Sequence, residues 1–338
     1  MKRITFLIGN GFDINVGLNT GYSEFCKYYL NKYSDDMLAK EIKKDYELWS
    51  DLEIGLGEYT EKVSELNEEE FFESKDVMEN ALADYLEDQM ERIRLTEENV
   101  NDVVMELKDS ILNFYKDFPS SQYEDIRKVI SSVATGIEYS FITFNYTDTL
   151  DRCLQLTKEH LTKNIGQHQS GSSVYTDTIG EVLHIHGTTK EELILAVNDE
   201  SQVKNEKLCT KELNRQCMIK AEANERLGQN KISAAKNIID NSVIICIFGM
   251  SIGATDKMWW EYICKWLAKD DDHRLVIFSR NEDTKGRITN RQLFMMQDKI
   301  FNKLWINTDI SEDEWKEIRK KVYVIFDSSI FNIKLTET

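Results

Sequence analysis

Five short motifs that combine glycine, histidine and small polar residues each follow an apolar run of this 338-residue sequence. They are Gly9-Asn10-Gly11-Phe12-Asp13, Asn145-Tyr146-Thr147-Asp148, His184-Ile185-His186-Gly187, Gly249-Met250-Ser251 and Ser279-Arg280-Asn281. Glycine lets the backbone approach a phosphate closely, and hydroxyl or carboxylate side chains can bind a ribose. Histidine can accept a proton near neutral pH. These residue types favour a phosphate- or ribose-binding site with a general base beside it.

The glycine motifs also have a purely structural interpretation. The first motif lacks the third glycine of the usual dinucleotide fingerprint, so a tight turn explains it as well as a phosphate cradle does. Asp13 can accept a hydrogen bond from a ribose hydroxyl or cap the following turn. Gly249 and Ser251 can bind phosphate or ribose, or form a simple strand-to-helix turn.

The two neighbouring histidines are predicted to differ in role. His184 and His186 lie two residues apart, so they share one face of a strand, and His184 is best interpreted as structural. His186 stands beside Gly187 at the predicted strand exit, which suits an exposed general base. No third ligand accompanies them, so we predict no metal site. Asn145 can orient a substrate or a water through its amide, or form a turn.

The composition restricts the class of protein. Hydrophobic residues make up 41% of the chain, enough for a core, and the net charge of −18 argues against direct nucleic-acid binding. The six cysteines show no CxxC spacing, which indicates a reducing cytoplasm. No apolar run is long enough for a membrane span, so we predict a cytoplasmic protein without membrane contact.

Apolar runs that alternate with helical patterns predict an α/β fold with a parallel sheet covered on both faces. The predicted strands are residues 4–8, 139–144, 182–185, 243–248, 275–278 and 322–326. Apolar residues recur at helical spacing between residues 35 and 132, which predicts an all-helical insertion after the first βα unit. Residues 1–34 and 133–338 then form the core, and the polar segment 167–173 is predicted to be a loop. Ligands bind such sheets beyond the carboxyl ends of the strands, where the five motifs lie.

The motifs, in this order, resemble sirtuin-like NAD-binding proteins with a Rossmann core. The resembling residues are Gly9-Asn10-Gly11-Phe12-Asp13, Thr143-Phe144-Asn145-Tyr146-Thr147-Asp148, His186-Gly187, Gly249-Met250-Ser251 and Asn281. The chain is more similar still to the AbiH-type abortive-infection family. That similarity adds Trp49-Ser50-Asp51-Leu52-Glu53 and the stretch from Leu7 to Phe25, and it extends over nearly the whole chain.

The resemblance implies an anti-phage effector that hydrolyses NAD⁺ to nicotinamide and ADP-ribose. Asn145 and His186 are then the catalytic pair, and NAD, the substrate, is the only cofactor expected. The residues implied in NAD binding are Gly9, Asn10, Gly11, Phe12, Asp13, Asp148, His184, Gly249, Ser251 and Asn281. Asp13 replaces the serine of the sirtuin pattern, and the four-cysteine zinc module is missing, so a protein deacylase is disfavoured. Because such an enzyme must be silent in healthy cells, control by self-association or by a partner defence protein is expected.

Three other functions remain open from the sequence. A sensor or regulatory subunit could bind NAD or ADP-ribose without cleaving it, and would not need His186. A nuclease or toxin is disfavoured by the acidic charge and by the lack of a metal-binding carboxylate cluster. A scaffold that recruits partners through its helical insertion leaves the polar strand ends without a use.

Overall fold

A computed structural model of the chain describes residues 1–280 and 288–336. The strands are β1 Lys2–Ile8, β2 Ile137–Thr143, β3 Asn164–Ser170, β4 Ser173–His184, β5 Ser242–Phe248, β6 Arg274–Ser279 and β7 Val322–Phe326. The first seven helices are α1 Gly11–Asn15, α2 Tyr22–Lys32, α3 Met37–Lys44, α4 Leu52–Tyr59, α5 Glu68–Met90, α6 Val100–Leu112 and α7 Ser120–Ser132. The others are α8 Thr149–Leu161, α9 Glu212–Met218, α10 Lys220–Arg226, α11 Lys231–Asp240, α12 Lys257–Lys269, α13 Asn290–Ile306 and α14 Glu312–Ile318.

The seven strands form one sheet in the order β3-β4-β2-β1-β5-β6-β7. All neighbours are parallel except β3, which runs antiparallel to β4. When the six parallel strands are counted along the chain, their order is 3-2-1-4-5-6, the order of the doubly wound Rossmann fold. The predicted α/β class with a Rossmann-type parallel sheet is therefore confirmed. The direction of chain progression reverses between β1 and β5, which makes that gap the topological switch point.

The loop predicted for residues 167–173 is wrong. Most of this segment belongs to β3, and it continues through a tight turn at Gly171 into β4. Gly171 has a φ of +59°, so its glycine and the neighbouring serines are turn residues of a hairpin rather than signs of a long loop. The strand is polar because it lies at the edge of the sheet, where only one of its residues is fully buried.

Alternating side chains of the central strands face two separate apolar layers. Phe6 and Ile8 of β1 face a layer that includes α6, α7 and α8, whereas Leu7 faces a layer that includes α11, α12 and α13. Cys246 of β5 is fully buried, as its apolar run predicts. Because both faces of the sheet are covered, the polar groups at its carboxyl edge are left at the end of the strands rather than on a face.

The segment from residue 35 to residue 132 contains α3 to α7 and no strand. Its helices pack in two different places. Leu107 and Ile111 of α6 contribute to the apolar layer on the sheet, while Leu38 of α3 and Leu82 of α5 belong to a cluster with Leu195. The division of the chain at residues 34 and 132 stays a prediction.

The segment 330–336 returns to the first loop of the chain after β7. The ring of Phe331 packs edge-on against Phe12, with ring centroids 5.6 Å apart, and against Phe6 and Phe248. The amide of Leu335 donates a hydrogen bond to the carbonyl of Val16 at 3.0 Å. This C-terminal segment therefore supports the loop between β1 and α2 from below.

Across residues 1–280 and 288–336, no helix combines the length and the apolar character that a membrane crossing requires.

Candidate active site

A cleft of about 770 Å³ opens at the carboxyl ends of the six parallel strands. A residue within two positions of each strand end lines the cleft; in sheet order these are His186, Asn145, Gly9, Gly249, Arg280 and Asp327. Neighbouring strands lie about 4.8 Å apart, so six strand ends extend over about 24 Å. A cleft of this shape suits an extended ligand that lies across the switch point.

The floor at the switch point consists of three glycines in backbone contact. A Cβ at Gly9 would lie 2.6 Å from the Gly249 oxygen, and a Cβ at Gly11 would lie 2.4 Å from the Gly249 Cα. The amide of Gly9 donates to the Phe248 carbonyl at 2.9 Å, and that of Gly11 donates to the Gly249 carbonyl at 2.8 Å. These two amides are therefore used inside the protein. The glycines contribute a low, close-packed floor rather than free donors.

A buried acid, Asp13, lies close to Asn145 and lines the cleft. The hydroxyl of Thr147 donates a 2.6 Å hydrogen bond to Oδ2 of Asp13. Burial raises the pKa of Asp13 to about 7, although the side chains of Thr147, Asn145 and Thr149 act to lower it. Oδ1 and Nδ2 of Asn145 are buried, and neither forms a well-aligned hydrogen bond with a described residue, although the amide lies close enough to Asp13 to lower the pKa of that acid. An amide that lines a cleft with its donor and acceptor unused is equipped to bind a polar ligand.

His186 lines the cleft, but the exposure predicted for it is wrong, because only 4% of its surface is accessible. Its Nε2 lies 3.4 Å from Oδ1 of Asp256, and its buried Nδ1 has no partner within the described part of the chain. Burial lowers the pKa of His186 to about 4, and the charge of Lys220 adds to the effect. The ring is therefore neutral at neutral pH. With Nε2–H directed at Asp256, Nδ1 carries the free lone pair.

A chain of buried charges extends from His186 to the helical segment. Nζ of Lys220 lies 2.7 Å from Oε2 of Glu53 and 3.2 Å from Oδ1 of Asp256. Burial raises the pKa of Glu53 to about 7, while Lys220 opposes the rise. The pKa of Asp256 ends well below its usual range, because Lys220 and His186 outweigh the effect of burial. Asp51 caps α4 through hydrogen bonds to the amides of residues 53 and 54, which fixes the helix that carries Glu53.

The sequence did not identify Lys220 as a site residue. It begins α10 in a polar stretch without a motif, and its partner Glu53 lies 167 residues away along the chain. Asp256 and Glu53 were not predicted as site residues either. Asp256 is the residue before α12, and both residues line the cleft.

The structure brings most of the predicted site residues together at the cleft. The predicted residues that line it are Gly9, Asn10, Gly11, Asp13, Asn145, His186, Gly249 and Ser251. The side chain of Asn10 is held by Thr20, which it donates to and accepts from.

Three predicted site residues do not line the cleft. Phe12 is buried in the core against Phe331, and Asp148 forms a 2.7 Å ion pair with Arg152. His184 lies behind Asn145, bound to the Asn145 carbonyl and to Asp151 at 2.8 Å. Burial acts to lower the pKa of His184, but Asp151 outweighs it and raises the value, which fits a structural histidine. Asn281, the remaining predicted residue, falls outside the described residues.

The far end of the cleft has a different charge. There, β6 and β7 end beside α13, whose cleft-facing residues are Met296, Lys299, Ile300 and Lys303. Arg280 follows β6 and donates a hydrogen bond to the side chain of Asn15. The cleft is therefore rich in carboxylates near β2 and β4 and rich in cations near β6.

The fold and the cleft together define a doubly wound α/β protein with its candidate ligand site at the topological switch point. The sequence model of the bacteriophage abortive infection AbiH family matches residues 5–278. The chain belongs to this family, so the resemblance to the AbiH family is confirmed, and membership supports a role in abortive infection of bacteriophage. A search of curated proteins found no match.

Proposed function

We propose that this protein is an abortive-infection effector that hydrolyses NAD⁺ to nicotinamide and ADP-ribose. In this reaction the bond between nicotinamide and ribose breaks, a water oxygen bonds to the ribose carbon, and one proton is released. The observation that carries the proposal is that Asn145 and His186 line the same cleft. Both are buried, both line the cleft, and Nδ1 of the histidine and the whole amide of the asparagine are unused by the described residues.

The shape of the cleft supports a dinucleotide as the ligand. The glycine floor lies between the two halves of the cleft, where a pyrophosphate would join two nucleosides. Any side chain at Gly9 or Gly11 would collide with the neighbouring backbone, so the floor stays low enough for phosphates to approach. The exposed Ser251 offers a hydroxyl at the edge of this floor. The reactive nucleoside would then lie at the end with Asn145 and His186.

Asn145 would orient the reactive ribose and the attacking water through its free amide. An amide neither gains nor loses a proton at neutral pH, so its role is positioning. The neighbouring Asp13 contributes negative charge when it is ionised. Positive charge develops on the ribose as the bond to nicotinamide breaks, and a carboxylate near that charge stabilises the transition state in a buried site.

His186 would accept the proton of the attacking water at Nδ1. A base with a pKa of about 4 is weak, but it is neutral at pH 7 and therefore ready to act. The demand on it is small, because the water becomes strongly acidic once it bonds to a positively charged ribose carbon. Asp256 then stabilises the protonated ring through Nε2–H, and Lys220 keeps Asp256 ionised.

The test is nicotinamide release from NAD⁺ by the purified protein and by protein isolated from phage-infected cells. His186→Ala is expected to lower the rate by roughly 10²–10⁴-fold, the usual contribution of a general base. Asn145→Ala is expected to lower it as well, because the ribose and the water lose their positioning group.

Two exposed residues outside the cleft supply matched controls. His160→Ala on α8 and Asn80→Ala on α5 remove the same side-chain types and should leave the rate at the wild-type level. If wild-type protein from both sources binds NAD⁺ and neither preparation releases nicotinamide, the protein is a sensor and the hydrolase proposal fails. Near-normal turnover by the His186 variant would remove that residue from the mechanism.

A further inference from the structure

Two lysines of α13 line the far end of the cleft. Lys299 and Lys303 face the cleft from α13, and neither forms an ion pair with any residue in the described ranges. Arg280 lines the same end, and the only hydrogen bond of its side chain within those ranges goes to the neutral side chain of Asn15. Three cations therefore stand together at this end of the cleft.

The two lysines also lie close to each other. Other exposed lysines lie beside carboxylates, as Lys316 lies beside Glu312 and Asp313. Lys299 and Lys303 are instead one helical turn apart, where like charges repel each other and disfavour the helix. An anionic ligand in the cleft would relieve that repulsion. Among the residues that the structure describes, one carboxylate, Asp327, also lines this end of the cleft.

The position of the cluster relative to the reactive residues indicates which part of a ligand it meets. Asn145 and His186 follow β2 and β4 on one side of the glycine floor, and the cluster lies beside β6 and β7 on the other side. A dinucleotide with its reactive ribose at Asn145 would have its pyrophosphate over the floor. Its second ribose, the one that carries adenine, would then lie among the cations.

We propose that Lys299, Lys303 and Arg280 bind a phosphate group on the adenosine ribose, so that the preferred substrate is NADP⁺ rather than NAD⁺. This inference rests on the proposed hydrolase function for the identity of the ligand. A ribose phosphate is a compact group with close to two negative charges, and lysine and arginine bind such groups well. In this fold class, basic side chains near the adenosine ribose accommodate the 2′-phosphate.

The test is calorimetric binding of adenosine 2′,5′-bisphosphate and of 5′-AMP to the whole protein. Wild type is expected to bind the bisphosphate at least about tenfold more tightly, a difference of about 1.4 kcal/mol. In the double variant K299A/K303A the ratio of the two affinities is expected to fall to about one. The double variant K299R/K303R keeps both charges and is expected to retain the preference.

The control K316A/K320A removes two exposed lysines from another surface, with the same change in net charge. It is expected to keep the wild-type preference for the bisphosphate. Equal binding of the two nucleotides by wild type, or a full preference in K299A/K303A, would overturn the inference. A similar loss of affinity for both nucleotides in that variant would assign the lysines to the shared 5′-phosphate and overturn it too.

The binding measurement separates this inference from the hydrolase proposal. If the bisphosphate preference is found but neither dinucleotide releases nicotinamide, the hydrolase proposal fails and the phosphate site stands. If NAD⁺ and NADP⁺ are hydrolysed equally and no preference is found, the hydrolase stands and this inference fails.

Discussion

Asp13 is a carboxylic acid almost without contact with water at the bottom of the cleft, with 1% of its surface exposed. Hydrogen bonding by neighbouring side chains, chiefly Thr147, does not compensate for burial, so the pKa of Asp13 rises from 3.8 to about 7. The folded protein thus retains a proton that the unfolded chain releases at much lower pH. This makes the stability of the fold depend on pH in a direction opposite to that of a paired surface acid.

We expect Asp13→Asn to become progressively more stable than wild type as the pH rises from 4 to 7. Between these values the folded wild type binds more protons than the unfolded chain, so its free energy of unfolding falls with rising pH. The asparagine does not titrate and avoids this loss. A rise in pKa from 3.8 to about 7 corresponds to about 4 kcal/mol across that window. Urea unfolding at several pH values measures the difference.

The control for this prediction is Asp109→Asn on α6. Hydrogen bonds from Lys116 and Asn113 hold the pKa of Asp109 below its usual value, so its stabilising charge is lost only as the pH falls below about 4. The difference between this variant and wild type should therefore stay flat from pH 4 to 7. A flat profile for Asp13→Asn as well would contradict the high pKa of Asp13.

The residues of the site differ in how far the sequence could predict them. Gly9, Asn145 and His186 follow apolar runs, and the carboxyl ends of parallel strands meet at one edge, so their proximity could be inferred. Lys220 could not be inferred, because charge pairing across 167 residues leaves no local pattern. The burial of His186 was also missed, because its ring packs near Phe144 and Tyr146 and its partner Asp256 lies 70 residues further along the chain.

At the scale of elements, the two loops at the switch point touch through their backbones. Gly249 has a φ of +72°, and a Cβ there would lie 2.7 Å from the amide nitrogen of Phe12. The loop after β5 and the start of α1 can therefore approach only while this residue is glycine. The first role of these glycines is to allow the two loops to touch. The space for a ligand above the loops is a consequence of that contact.

We expect Gly249→Ala to destabilise the fold more than Gly228→Ala does. Gly228 has a φ of +69°, but no atom lies within 4 Å of the place where its Cβ would stand. Alanine there should cost about 1–2 kcal/mol from the left-handed backbone alone. At Gly249 the collision with Phe12 should add about 1–3 kcal/mol. Urea unfolding compares the two variants, and equal losses would show that the loops do not need their close contact.

The elements themselves were predictable where a pattern was strong. The apolar run at 322–326 coincides with β7, and the run at 243–248 falls within β5. The hairpin of β3 and β4 was missed because an edge strand needs no apolar face, and its polar residues resemble a loop. Sequence periodicity reports burial, so it fails for the strand that is least buried.

At the scale of the whole molecule, some of the helices between α2 and β2 pack against the sheet as well as against one another. Leu107 and Ile111 of α6 share an apolar cluster with Phe6 of β1 and Phe141 of β2. A part of the segment that the sequence predicted as an insertion therefore covers the central strands. We therefore expect α6 and the sheet to unfold together in one transition.

We expect Leu107→Ala to lower the free energy of unfolding of the whole chain by about 2–5 kcal/mol, as a buried cavity does. Met105→Ala on the same helix is the control, since Met105 is exposed, and it should change stability by less than about 0.5 kcal/mol. The unfolding transitions followed by far-UV circular dichroism and by the fluorescence of the tryptophans on α12 should both move to lower denaturant concentration, and by the same amount. A fluorescence transition unmoved in Leu107→Ala would mean that the helical segment unfolds as a separate unit.

The return of Phe331 to the first loop has a consequence for synthesis. Asn15 and Phe331, joined by a hydrogen bond, are 316 residues apart along the chain. A ribosome adds about 5–20 residues per second, so roughly 15–65 s separate the translation of these two residues. During that interval the aromatic cluster under the cleft lacks one of its rings. A nascent chain therefore cannot complete this aromatic cluster until nearly all of this sequence has left the ribosome.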